Sequence, residues 1–289
     1  MNDRQTFRAL MGVTGLLLVC LVCLFTLPLR LSSFTASMWA VCCSILMAQT
    51  PMMPPISGEW VWLATLLVVL FLSLMLGKTI LTGWRLWQVT RQLISATQTA
   101  HLFLSPALTR LADQLNLAEV LVLIPDHSPY SFCYGLRQPR ICLSLGLVEL
   151  LTEAELEAVL WHEAYHLHRR EPLRLALAIC LSRFFFFIPL LAELRDHYLT
   201  EKEIAADAFA IAHTSRRVLA GALHKLITVQ PAPLIPSLAV VAGLSVTARR
   251  VDHLLNPATR PTWQPSRRSM LSTVLFFALG CLLMTAGLV

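Results

Sequence analysis

The stretch LWHEAYHLHRREP, residues 160–172, gathers three histidines and two glutamates in a chain otherwise short of charge. On a helix, residues four apart stand on one face. The imidazoles of His162 and His166 can therefore both reach one metal ion. Glu163, one position after the first histidine, projects beside such an ion rather than onto it. Its carboxylate is then placed to take a proton from an attacking water. His168 lies on the same helix but off that face, and a solvated helix end is its expected place.

This H-E-x-x-H spacing marks zinc peptidases, yet five positions also match by chance. A catalytic zinc takes three protein ligands and keeps one position open, so a third ligand must come from another element. Glu203–Ile–Ala–Ala–Asp207 lies on a later expected helix. Glu201 competes with Glu203 for the third place, but only Glu203 has an aspartate one turn on. Glu193 and His197, four apart, are a further candidate pair. Asp207 can accept the second ring N–H of His162 and fix its tautomer. Ala205, Ala206, Ala208, Ala210 and Ala212 keep this helix thin enough for close packing. Tyr165, His197, Tyr198 and His213 are all candidates to hydrogen-bond a developing oxyanion, and the sequence does not choose among them.

The elements that must hold these residues follow from capping and turn signals. Ser105–Pro106–Ala107 opens a short helix to about Leu117. Val120–Ile124 reads as a strand closed by Pro125–Asp126. Ser131–Tyr134 and Arg140–Ser144 read as two strands of a hairpin around GLRQP. Thr152 and Glu155 form a capping box that starts the H-E-x-x-H helix, which runs to Arg170 and stops before Pro172. Leu173–Leu191 is expected as one very apolar helix, and Ala192–His213 as a more polar one. Ser131, Phe132, Cys133 and Tyr134 are the expected edge strand on which an extended substrate pairs. Cys133 and Cys142 are expected as free thiols.

The composition says where such a domain lives. Of 289 residues, 56% are hydrophobic and only 14% are charged, with a mean hydropathy of +0.65. Soluble domains carry about 25% charged residues, so the expected class is a membrane protein. Ala9–Leu29, Trp60–Gly77 and Ser269–Val289 are each near the length a bilayer requires, and Phe34–Thr50 is a shorter candidate. Of 23 lysines and arginines, 20 fall between residues 78 and 268. Those next to the apolar runs place this central region in the cytoplasm by the positive-inside rule. Because they flank the runs rather than form one face, no direct nucleic-acid binding is expected. Arg174 and Arg183 argue against a crossing at 173–191; that helix is expected against the membrane-facing side of the domain.

H-E-x-x-H followed by E-x-x-x-D resembles the gluzincin class of zinc peptidases. The wider strings SFCYGLRQPRICLS, ELEAVLWHEAYHLHRREPL, EKEIAADAFA and TARRVDHLL resemble the BlaR/MecR family of integral-membrane metallopeptidases, over about residues 100 to 255. The resemblance implies an α-helical membrane protein with an inserted α+β gluzincin-like zinc domain. The expected layout is residues 1–82 as two or three spans, 83–268 as the cytoplasmic peptidase domain and 269–289 as a last span in the cytoplasmic membrane. It implies Zn2+ held by His162, His166 and Glu203, Glu163 as base, and Asp207 orienting a histidine. The implied substrate is a winged-helix repressor, cleaved in signalling. Two departures matter: FFFFIPLL lacks the family's Asn–Pro, and the sequence ends just after its last apolar run. We therefore expect no penicillin-binding domain, and the absence of any Ser-x-x-Lys agrees. A quality-control protease of the HtpX type, or a membrane scaffold without catalysis, are the other readings.

Overall fold

The structure, a computed structural model, describes residues 3–15, 66, 70, 73–85, 87–88, 91–92, 106–229, 243–256 and 264–286. Helices α1 (residues 3–15) and α2 (residues 73–85) precede the central region. There the order is α3 (Pro106–Gln114), β1 (Leu121–Ile124), β2 (Ser131–Tyr134), β3 (Arg140–Ser144), α4 (Leu145–Leu150), α5 (Glu153–His168), α6 (Glu171–Phe184), α7 (Pro189–His213), α8 (Arg216–Thr228) and α9 (Gly243–Leu255), with α10 (Arg267–Ala286) last. Among the described residues no helix is long and apolar enough to cross a membrane. The candidate span 34–50 lies outside the described residues, as do most of 9–29 and 60–77; the last apolar run is helical as α10.

The sheet is small and mixed, in the order β1-β3-β2, with β1 parallel and β2 antiparallel to β3. Ser131 lies opposite Leu143 and Tyr134 opposite Arg140. Gly135 begins the connecting turn at φ +95°, and a Cβ there would run into the carbonyl oxygen of Gln138; only glycine takes this backbone without strain. β2 is therefore the outer strand beside a central β3. Ile141, Cys142 and Leu143 of β3 are fully buried, and Ile141 and Leu143 join Leu121, Leu123, Leu147, Leu156 and Leu160 in the main core.

α5 starts where the capping signal places it. Thr152 Oγ1 accepts from the Glu155 backbone N–H at 3.4 Å, and Glu155 Oε2 accepts from the Thr152 N–H at 2.8 Å. Lys225 Nζ of α8 lies 2.6 Å from the same Oε2. The helix ends at His168, two residues short of the expected Arg170, because Arg170 is left-handed at φ 49°. Pro172 does not stop a helix but sits in the first turn of α6, where its missing N–H leaves no bond unmade.

The single apolar helix expected over 173–191 is two elements. α6 stops at Phe184, and α7 begins at Pro189. Proline disfavours helical backbone in the residue before it, and Ile188 is extended at φ −112°, ψ 91°. Phe185 and Ile188 then turn inward to a second core with Leu191, Leu194, Tyr198 and Leu10 of α1. α7 packs along α5. Only one of its alanine stripes lies in the seam, as Ala206 and Ala210 are fully buried while Ala208 is exposed. The short α4 and the amphipathic α8 and α9 extend the sequence-based outline; α9 packs against α7.

Candidate metal centre

α5 carries His162 and His166 on its buried face, at 6% and 7% exposure. Their Nε2 atoms are 3.2 Å apart, with the rings near perpendicular at 77°. α7 brings Glu203 to the same point: its Oε2 is 3.3 Å from His162 Nε2 and 3.8 Å from His166 Nε2. One atom from each of the three residues lies within 4.8 Å of the others. A tetrahedral Zn2+ with bonds of about 2.0–2.1 Å separates its ligand atoms by roughly 3.3–3.4 Å. The three donors are thus already near the spacing such an ion imposes, and imidazole, imidazole and carboxylate are a ligand set it favours.

The outer nitrogens differ. His162 Nδ1 lies 2.9 Å from Asp207 Oδ1, in close ionic contact but off the line of a straight N–H···O bond. His166 Nδ1 is buried with no hydrogen-bond partner among the described residues. Asp207, 1% exposed, is also clamped by Arg250 of α9, whose Nε and Nη2 donate to its two oxygens at 2.9 and 2.7 Å. Arg250 Nη1 is in turn 3.7 Å from Glu203 Oε2. On the other side, Lys202 Nζ lies 3.0 Å from Glu203 Oε1.

These charges set the protonation of the site. Burial disfavours the Glu203 carboxylate, but Lys202 and the two histidines outweigh it and hold Glu203 well below the usual range. Burial is likewise overcome at Asp207 by Arg250 and His162, which lower it. Burial and Arg250 work against a charged His162, yet Asp207 and Glu203 push it up to about 9. Lys202 is raised, because Glu203 and its acidic surroundings exceed the penalty of burying the ammonium.

Glu163, 5% exposed, points past the ligand cluster toward the sheet, where its Oε1 accepts from Ser131 Oγ at 2.7 Å. The base candidate and the outer strand thus meet directly. Further along β2, Phe132 packs between the rings of Tyr130 and Tyr134. Cys133 is a free thiol that burial and the nearby Glu163 push far up, so it is no ready nucleophile. Tyr134 is buried at 5% exposure.

The other candidates lie outside this cluster. Glu201 is buried outside the three-residue cluster, and Glu193 accepts from the backbone N–H of Ser266 at 3.0 Å. His168 bonds the Ala164 carbonyl, and His213 stacks on Trp161 at 3.8 Å. Tyr165 donates to Asp3 of α1, and Tyr198 to Glu171. Reasoning from sequence missed Arg250 and Lys202. Arg250 is 43 positions from Asp207, beyond any local spacing rule, although it sits inside the string TARRVDHLL. Lys202 adjoins Glu203, and neighbouring helical residues do not ordinarily face one another.

The family described as BlaR1 peptidase M56 matches residues 16–254. A Protease HtpX homolog of Acaryochloris marina is 37% identical over 95 residues, which cover 32% of this chain and 31% of that protein. Protease HtpX homolog 2 of Methanosarcina mazei is 29% identical over 126 residues, covering 42% of each. A Protease HtpX homolog of Moorella thermoacetica is 32% identical over 117 residues, covering 38% of each. The chain therefore spans from 31% to 42% of the length of the curated relatives it matches. With the match running through both histidines, Glu203 and Arg250, this chain belongs to the M56 peptidase family.

Proposed function

We propose that this protein is an integral-membrane zinc metalloendopeptidase that cleaves peptide bonds on the cytoplasmic side. The observation that carries the reading is the convergence of His162 Nε2, His166 Nε2 and Glu203 Oε2 with Glu163 beside them. His162, His166 and Glu203 would hold the ion. Bound there, zinc would supply a Lewis acid that polarises the scissile carbonyl and makes water acidic near neutral pH. Glu163 takes the proton of the attacking water and delivers it to the leaving nitrogen. The edge of β2 that faces away from β3 offers an extended substrate a strand to pair with, which would deliver its carbonyl next to Glu163. Asp207, itself fixed by Arg250, holds the His162 ring so that Nε2 points inward.

The membrane setting rests on the composition and on the family. α6 has 14 residues, about 21 Å of helix, well short of a bilayer core of about 30 Å. It also joins α5 to α7, whose side chains share one cluster, so α6 returns to the side it left. We place residues 78–268 in the cytoplasm. The signalling substrate is a winged-helix repressor whose cleavage relieves repression. The HtpX names of the relatives favour a second reading, the removal of misfolded membrane proteins.

One experiment tests the chemistry and separates the two substrates. Purified protein in detergent is given a winged-helix repressor and, separately, an unfolded membrane protein, with Glu163→Gln run alongside. Cleavage of the repressor at one bond by wild type alone is the expected result. Broad cleavage of the unfolded protein alone would favour the quality-control reading. Wild-type rates in Glu163→Gln would remove Glu163 from the reaction.

A further inference from the structure

Glu203 gives its two oxygens to different neighbours. Oε2 faces the imidazoles, at 3.3 and 3.8 Å. Oε1 faces the other way, 3.0 Å from Lys202 Nζ. Lys202 is the residue just before Glu203 on α7, and its side chain is only 10% exposed. Adjacent positions on a helix point about 100° apart, so this contact is not a by-product of helix geometry. The ammonium has folded back onto the carboxylate inside the protein, where an unpaired charge is strongly disfavoured.

The consequence lies in the number of oxygens Glu203 can give to a metal. A carboxylate ligates through one oxygen or chelates through both. Chelation would add a fifth donor and crowd the position a catalytic zinc keeps open for water and substrate. We propose that Lys202 is a positioning residue that holds Glu203 Oε1 away from the metal and so restricts Glu203 to one-oxygen ligation through Oε2. The inference rests on the zinc-peptidase reading above and adds a residue which that reading does not require. It also has a diagnostic sign. A cation beside a dication site repels the metal, so removing its charge leaves metal binding as tight or tighter. A lysine that merely supports the fold would do the opposite.

The test uses Co2+ as probe on the full chain, because the intensity of its visible bands falls as coordination rises from four to five. Wild type is titrated with Co2+ beside Lys202→Met, which keeps the length without the charge, and Lys202→Arg, which keeps a charge. The expected result is a four-coordinate spectrum for wild type and Lys202→Arg, and weaker, five-coordinate bands for Lys202→Met. The Co2+ Kd of Lys202→Met should be no weaker than wild type. Its kcat should fall roughly 10- to 100-fold, the range for residues that orient a ligand, with KM near wild type. An unchanged spectrum in Lys202→Met, or weaker Co2+ binding, overturns the proposal while the peptidase reading stands. A wild type that takes no Co2+ overturns that reading first. If Lys202→Met does not fold, X-ray absorption on the Co2+-loaded wild type decides: one carboxylate oxygen bound supports the proposal, two overturn it.

Discussion

Arg250→Met is the perturbation whose size the structure fixes best. The guanidinium makes two hydrogen bonds to Asp207, at 2.9 and 2.7 Å, and lies 3.7 Å from Glu203. The side chains of Arg250 and Asp207 are 17% and 2% exposed. Methionine fills most of the space but leaves Asp207 as a buried carboxylate facing His162 without its main counter-ion. Breaking such a buried pair from one side costs about 3–5 kcal/mol. For a domain of this size, about 2–4 °C per kcal/mol makes that a fall in Tm of roughly 6–20 °C. The assay is thermal unfolding with a chelator present, so that loss of metal does not contribute. Asp207→Asn combined with Arg250→Met removes both charges, and the double variant should be far more stable than the sum of the single losses predicts. A Tm for Arg250→Met within about 3 °C of wild type would refute the reasoning, as would additive losses in the double variant.

Three further outcomes are expected. Ser131→Ala removes the 2.7 Å bond to Glu163; kcat should fall about tenfold while bound metal, measured by elemental analysis, stays at the wild-type amount. Glu155→Gln weakens the cap of α5 and its contact with Lys225. At neutral pH it should cost about 1 kcal/mol in denaturant unfolding. Glu155 is lowered in the folded protein despite burial, through Lys225 and Thr152. A depressed folded value means stability present above the unfolded value and lost as pH falls through the folded one, so the gap to wild type should close below about pH 4.5. Gly146→Ala would drive a Cβ into the backbone of His127, and should lower Tm by several degrees through displacement of the 124–130 loop.

How much of this was readable in the chain varies by element. The H-E-x-x-H helix, its capping box and the β2–β3 pair were legible because local signals set them: a side chain three residues on, a four-residue spacing, a turn at Gly135. The boundary at Phe184–Pro189 was not, since an apolar run with helical periodicity hides a break that one proline makes. The parallel pairing of β1 with β3 was also beyond local rules, because it is set by packing under α5. In the site, Glu203 and Asp207 were visible by their mutual spacing of four. Arg250 and Lys202 were not: one arrives from a separate helix, and the other makes a contact that helix geometry alone would not suggest. Buried carboxylates without visible counter-ions were the signal that cations had to be near.

The central claim is that three side chains hold one zinc ion, and the metal content of the purified protein tests it most directly. Wild type, His162→Ala, His166→Ala, Glu203→Ala, Glu163→Gln and Glu201→Ala are purified alike and measured for zinc by elemental analysis, with circular dichroism confirming helix content. One zinc per chain is expected in wild type, Glu163→Gln and Glu201→Ala, and a large loss in each of the other three, since a three-ligand site cannot spare one. Zinc retained in Glu203→Ala but lost in Glu201→Ala, or absent from folded wild type, would contradict the account.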